Sequence, residues 1–333
     1  MISRACVLAT CGCCLLLSGC GDDVSLVPGK PRQTPGWYQF GLDDSWATEL
    51  ELAYPYLYAC TTEDGLFRTP MTGEDPNWEY LGFQGEWCHD AHVLDNGAIL
   101  VGLSPGLQRS QDGGSSWVRS DSGMVGGPHN VTCFASCGDE ILAGTFGRGL
   151  YRSKDQGLSW TKLASAPCEG LYYQQIRFHP LDCDRIWLRG GTNRCDLIPL
   201  VSLDGGNEWE SIRLLVHPNL HWSYSIGLDP FDIDVVYVGC DGLVLKSIDG
   251  GSSWATVLHP PGGLTFAAIE ADNLTRGHFF FAGGDSLCET HDGGATVESL
   301  GSAKGRDIFD LVYDAPNSIL YVATRAGVFK YVL

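Results

Sequence analysis

Along almost the whole chain, apolar residues come in short runs separated by glycine-rich polar turns. Glu140 to Thr145, Gly149 to Ser153, Ile319 to Thr324 and Gly327 to Leu333 are of this kind, and runs so short and so closely punctuated predict strands. The turns are not random. A Ser-x-Asp-x-Gly-x-x-Trp pattern occurs at Ser110, Asp112, Gly114 and Trp117, at Ser153, Asp155, Gly157 and Trp160, at Ser202, Asp204, Gly206 and Trp209, and at Ser247, Asp249, Gly251 and Trp254. A worn fifth copy has Thr290, Asp292, Gly294 and Val297.

The five aspartates are 43, 49, 45 and 43 residues apart. A fixed interval of that size means one supersecondary unit repeated around an axis or along a stack. Each copy lies between two strand-like runs and so reads as a hairpin turn. The carboxylate accepts hydrogen bonds from its own turn, the glycine supplies a positive φ, and the tryptophan opens the next strand with a large apolar face. Two more strands precede each turn, and four strands per unit is the anatomy of a propeller blade.

Trp117, Trp160, Trp209, Trp254 and Val297 form a column that extends back to Trp78 and Trp37 in steps of 39 and 41 residues. After the last copy, Asp307 to Tyr313, Ile319 to Thr324 and Gly327 to Leu333 supply three strands with no fourth. A strand from Trp37 to Leu42 can complete that blade and close the ring. The expected fold is therefore all-β, a seven-bladed β-propeller spanning 37–333, with six blades as the fallback if the first unit is irregular.

The repeated turn resembles the Asp-box, or bacterial neuraminidase repeat, of sialidases, sortilin-type receptors, xyloglucanase-type glycosidases and photosystem II assembly-factor propellers. The segment from Leu228 to Gly239, and more loosely Phe178 to Trp187, is similar to hairpins of the sortilin and xyloglucanase branches. The resemblance implies the scaffold and transfers no activity. It places Asp112, Asp155, Asp204, Asp249 and Asp292, with Trp117, Trp160, Trp209 and Trp254, in outer hairpins as structural residues, away from the central channel where propellers hold ligands.

Composition agrees with this scaffold. The 333 residues are 44% hydrophobic and include 43 glycines and 10 tryptophans, which suits many short strands and tight turns. The N-terminus adds a location. Met1 to Gly19 carries one charge, Arg4, and an apolar stretch too short to span a bilayer, so 1–19 reads as a cleaved signal. Leu17, Ser18, Gly19 and Cys20 resemble the bacterial lipobox, which implies lipid attachment at Cys20, a tether over 20–36 and a bacterial envelope location. Gly21 after the cysteine resembles the outer-membrane sorting choice.

The chain carries a formal charge of −19, and loss of Arg4 with the signal makes it −20. That balance excludes nucleic acid and anionic lipid surfaces as partners of the protein itself, and leaves cationic partners, neutral glycans and peptides. Of 14 cysteines, nine remain beyond Cys20, which outside the cytoplasm favours disulfides over metal sites. Cys183 with Cys195, or Cys168 with either, share the longest unit and are the expected pairings. Cys60 and Cys240 sit in one repeat column of non-adjacent blades and are not expected to pair.

Two clusters invite chemistry. Arg68 lies in a segment that resembles the arginine motif of sialidases, yet it is in phase with Arg109 and Arg152, one member of a third-strand column. The rest of a sialidase set cannot be assigned. Cys88, His89, Asp90 and His92 are the densest group of possible ligands; strand alternation puts Cys88, Asp90 and His92 on one face. Neighbours two apart on one strand rarely close a metal site, so a disulfide at Cys88 with channel-facing polar neighbours is the expectation, and no metal or cofactor is assigned.

The innermost strands should line any ligand site. They bring His92, His129, Tyr173, Gln175, His221, Trp222, Tyr224, Arg306 and Asp310 towards one mouth, where aromatic rings beside polar groups suit a sugar or a peptide. The first expectation is a non-enzymatic, lipid-anchored binding or assembly module for an envelope protein, peptide or glycan. The alternative is a glycoside hydrolase, which would need a convergent acidic pair near the channel from Asp90, Glu270, Asp307 or Asp310. The insertion from Arg189 to Pro199 reads either as a projecting loop carrying Arg194 or as a disulfide-pinned loop with no role.

Overall fold

The computed structural model describes residues 34–333 apart from 72–74, 127–128, 165–171, 193–194, 213, 215–222 and 260–264, with the side chains of 191–192, 195–198 and 223 also outside the description. The described strands form seven four-stranded antiparallel sheets arranged as a seven-bladed β-propeller. Gly36–Gln39 pairs with Gly327–Val332, so the last blade takes its outer strand from the start of the domain and the ring closes. Closure leaves no sheet open between first and last blades.

Burial follows position within the blade. The second strands Tyr56–Thr61, Glu140–Thr145 and Ile319–Thr324 are buried at every position but the first, because a neighbouring blade covers each face. That is why these strands read as continuous apolar runs without alternation. The outermost Val118–Arg119, Thr161–Lys162 and Glu210–Ser211 are exposed.

The repeated turn lies between third and fourth strands. In each of five copies the aspartate accepts from the hydroxyl two residues earlier and from the backbone N–H four residues later, for example Ser110 Oγ at 2.7 Å and Ser116 N at 2.8 Å around Asp112. These bonds hold the carboxyls of Asp112 and Asp292 down at about 2. Gly114 has φ +91°, and a Cβ there would come within 3.1 Å of Leu81 in the previous blade. Trp117 and Trp160 then reach across, donating Nε1 to Leu81 O and Ser120 O, whereas Trp209 and Trp254 donate to Gly206 O and Gly251 O of their own turns.

The third-strand cations tie consecutive blades. Arg68 donates to Gly113 O at 2.5 Å, Arg109 to Gln156 O at 2.9 Å, Arg152 to Gly205 O, and Lys246 to Gly293 O at 2.8 Å. Each carbonyl belongs to the turn of a following blade. Arg68 is thus a scaffold residue held by Glu79 and a neighbouring turn.

Two disulfides also cross between neighbouring blades, Cys60 with Cys88 and Cys137 with Cys183. The second corrects the expected pairing of Cys183 with Cys195. Cys137 ends an inner strand that packs against the next blade, whose second strand begins at Asp182, so Cys183 finds its partner across the interface. Cys168 lies outside the described residues. Cys133, Cys240 and Cys288 are free thiols. Ladder register sets Cys60 opposite Glu49 and Gly239 opposite Ser225, so Cys60 is level with Gly239 rather than with Cys240.

Candidate functional site

Each of the seven inner strands carries a register shift at the same place. The bulged residues are Thr48, His89, Thr132, Gln174, Tyr224, Ala267 and Phe309. A bulge bends its strand and reverses the facing of the residues beyond it relative to simple alternation. In the second blade, Cys88 packs with Ala91 in the core between blades, while Asp90 and His92 face the channel. The expectation that Cys88, Asp90 and His92 share a face is corrected by that one inserted residue.

The residue after the bulge is Glu49, Asp90, Cys133, Gln175, Ser225, Ala268 or Asp310. Three of these side chains reach the backbone of the next inner strand. Asp90 accepts from Phe134 N at 2.6 Å, Gln175 from Ile226 N at 2.8 Å and Asp310 from Leu50 N at 3.0 Å. Two residues further on stands a second tier, in which Glu51 accepts from Val93 N at 3.3 Å and pairs with His92 at 3.2 Å. Arg177 and Glu270 of this tier approach to 3.8 Å.

The channel so formed is a cavity of about 530 Å³. Glu49, Glu51, Asp90, Glu270 and Asp310 bring five carboxylates to its wall, against Arg177, Arg189 and His92. Burial, with the other carboxylates adding to it, pushes Asp90 and Glu270 up to about 7, Asp310 up to about 6 and Glu49 well above the usual range. Burial drives Arg189 down to about 10. Among the described residues that line the channel, carboxylates outnumber cations, and some of these carboxyls hold protons near neutral pH.

Aromatic side chains gather where the inner strands begin. Trp46 lies against Phe309 with Arg325 over its ring, Trp87 stacks on His89, and Phe146 meets Tyr172 edge to face. Trp46, Trp87 and Phe146 are 39%, 50% and 53% exposed, large values for such rings. Tyr224 and Phe309 continue this rim into the cavity wall.

Of the residues expected at the mouth, His92, Gln175, Tyr224 and Asp310 line the cavity. His221 and Trp222 lie outside the described residues. Three are placed elsewhere. Tyr173 precedes its bulge and is wholly buried between blades; His129 is buried 3.1 Å from the Tyr151 hydroxyl; Arg306 covers the Phe329 ring and donates to Ala303 O. Of the acids considered for a pair, Asp307 is an exposed partner of Arg325, whereas Asp90, Glu270 and Asp310 share the channel. Arg194 is outside the described residues.

Sequence reading missed Glu49, Glu51, Arg177 and Arg189. The first two belong to an inner strand, Ala47–Ala53, whose blade lacks a clean turn motif. Arg189 had a signal. Opposite the post-bulge residue the second strands carry Cys60, Gly102, Gly144, Gly239, Ala282 and Ala323, all small, and Arg189 alone breaks that column.

No protein-family model matches the sequence, and no curated protein matches it. Solved structures do. YCF48 from Cyanidioschyzon merolae is 15% identical, with 89% of this chain and 98% of that chain covered and a TM-score of 0.67. YCF48 solved bound to a D1 peptide is 16% identical over 90% and 98%, with a TM-score of 0.70. The xyloglucanase of glycoside hydrolase family 74 from Xanthomonas campestris is 16% identical, with 89% of this chain but 53% of that one covered and a TM-score of 0.69. The chain thus spans about half the length of that enzyme. At these identities the likeness is one of fold.

Proposed function

We propose that this propeller is a binding module of the bacterial envelope, anchored by lipid on Cys20, whose channel mouth takes a peptide segment bearing a lysine or arginine. The observation that carries this reading is the excess of buried carboxylate over cation in one cavity. A cationic side chain entering there meets groups already desolvated and poised to lose their protons, and the exposed rings of Trp46, Trp87 and Phe146 offer flat apolar surface to the flanking residues. The likeness in fold to a propeller solved with a bound peptide supports it. An outer-membrane location follows only from the residues around Cys20.

The sign of the pH dependence is fixed by the raised carboxyls. Below about pH 5 Asp90, Glu270 and Asp310 are neutral, and they ionise as pH rises through about 6 to 7. Affinity for a cationic peptide should rise from pH 5 to pH 8. The test is crosslinking of the lipidated chain in native envelopes, followed by anisotropy titration of captured sequences against versions with norleucine for lysine. A loss of tenfold or more on neutralising the cation, and a similar loss in Asp310→Asn, is expected. Equal binding of the neutral version at both pH values would rule the reading out.

A second reading, cleavage of a glycan, is favoured by the coexistence of protonated and ionised carboxyls in one channel, the pairing that glycoside hydrolysis uses. Release of reducing ends from an oligosaccharide, abolished in Asp90→Asn, is the result that would establish it.

A further inference from the structure

We infer that the sixth blade holds a second site, for a zinc-class divalent cation, formed by His278, Glu289 and His291. The third-strand column explains how it arises. Glu289 occupies the position that is Arg68, Arg109, Arg152 and Lys246 in other blades, where the cation reaches a turn carbonyl of a following blade. The seventh blade follows the sixth and has no such turn, since its outer strand is Gly36–Gln39. A cation at 289 has no carbonyl of that kind to reach, and the chain places a carboxylate there.

That carboxylate is met by two imidazoles. Glu289 Oε2 is 3.4 Å from His278 Nε2 and 3.5 Å from His291 Nε2, and one ligand atom from each of the three residues lies within 4.8 Å of the others. Two ligands bonded to zinc at about 2.0–2.1 Å in a tetrahedron stand about 3.3 to 3.4 Å apart, so both spacings match edges of the polyhedron. The third edge closes by rotation of His291, whose side chain is 62% exposed.

His278 is fixed for the purpose. Its Nδ1 is 2.9 Å from Asp272 Oδ2, both side chains being almost fully enclosed at 6% and 4% exposure. A proton on Nδ1 held by a carboxylate leaves the Nε2 lone pair directed at Glu289, the orienting arrangement found behind metal-bound histidines. Asp272 is itself held by the backbone N–H groups of Leu274 and Thr275. Two imidazoles and a carboxylate suit zinc, cobalt or nickel over magnesium or calcium. Three protein ligands with one exposed member leave the fourth position to water or to an incoming donor atom.

Titration calorimetry of the full-length protein with zinc(II), and visible spectra with cobalt(II), test the assignment. One equivalent should bind, and cobalt should give the intense bands of a four-coordinate site. His291→Ala, at an exposed position, should fold normally and lose at least tenfold in affinity, Glu289→Gln should do the same, and Asp272→Asn should lose about 10- to 100-fold without touching the metal. Cys288→Ser, whose free thiol neighbours Glu289, should bind as the parent does. Absence of zinc binding would leave only a protonated His278 between two carboxylates and overturn the proposal. Unchanged binding in both His291→Ala and Glu289→Gln would overturn it as well.

Discussion

The outer turns and the inner wall obey the same seven-fold backbone and differ in what they do with it. In the five turns the side chains repeat along with the backbone: the Ser or Thr hydroxyl accepts from the glycine N–H at 2.8, 2.9, 2.7, 2.8 and 2.8 Å. Along the channel the bulge repeats in all seven strands while the residue after it runs through Glu49, Asp90, Cys133, Gln175, Ser225, Ala268 and Asp310. Packing one blade against the next sets identical demands at every step, and a ligand without seven-fold symmetry sets different ones. Deviation from the repeat is therefore where function is to be sought.

The largest effect should come from forcing the inner wall back to the repeat. Arg189→Gly restores the small residue found at Gly102, Gly144 and Gly239, yet removes one of two guanidinium groups facing five carboxylates. Breaking a buried charge cluster on one side costs about 3–5 kcal/mol, and urea unfolding at pH 7.5 should show a loss of that order. A variant as stable as the parent would mean that the wall tolerates its charge without Arg189. The same replacement logic at Gly144 runs the other way: a Cβ there would sit 2.6 Å from Cys133 Sγ and 2.7 Å from Tyr173 Cβ, so Gly144→Val should overpack the interface at a cost of about 1–3 kcal/mol.

The difference between the two regions also decides what the sequence could reveal. Blade count, ring closure by Trp37 and the scaffold role of Arg68 were legible because each is a repeated feature, visible as a column. Of the seven described residues expected at the mouth, four line the channel. Gln175 and Asp310 follow their bulges and face the channel, whereas Tyr173 precedes one and faces the next blade. A one-residue bulge leaves no mark in the pattern of apolar positions, so alternation carried across it assigns the wrong face. Cys183 was misassigned for a related reason, since its partner lies 46 residues away in the neighbouring blade and not within its own long unit.

A smaller effect, of opposite sign, should follow from neutralising one acid of the wall. Asp90 stands at about 7 in the folded protein, well above the unfolded carboxyl. With the folded value raised, the native state holds the proton more tightly, so stability falls as pH rises from about 4 to 7 and the full cost is present above pH 7. Asp90→Asn keeps an oxygen for Phe134 N and removes the charge. Thermal unfolding should show a gain of about 1–2 kcal/mol at pH 8, less than the pKa arithmetic alone allows because the amide is also buried, and no gain at pH 4. A gain independent of pH would mean that the carboxyl ionises in the folded protein just as it does in the unfolded chain.

A last effect, of about the same size, should be the most uniform. Ser110, Ser153, Ser202 and Ser247 each donate to an aspartate at 2.7 to 2.8 Å and accept from a glycine N–H, with each hydroxyl buried. Removing the hydroxyl by Ser→Ala leaves that N–H unsatisfied, a loss of about 1–2 kcal/mol. If the turns answer only to blade packing, the four single variants should fall within about 0.5 kcal/mol of one another, and a pair taken from non-adjacent blades should lose the sum, since distant independent sites add. One copy standing well apart from the other three would show that the outer rim, too, has a position with work beyond the scaffold. The sixth blade needs a variant of its own, because there Thr290 takes the serine's place between Glu289 and His291.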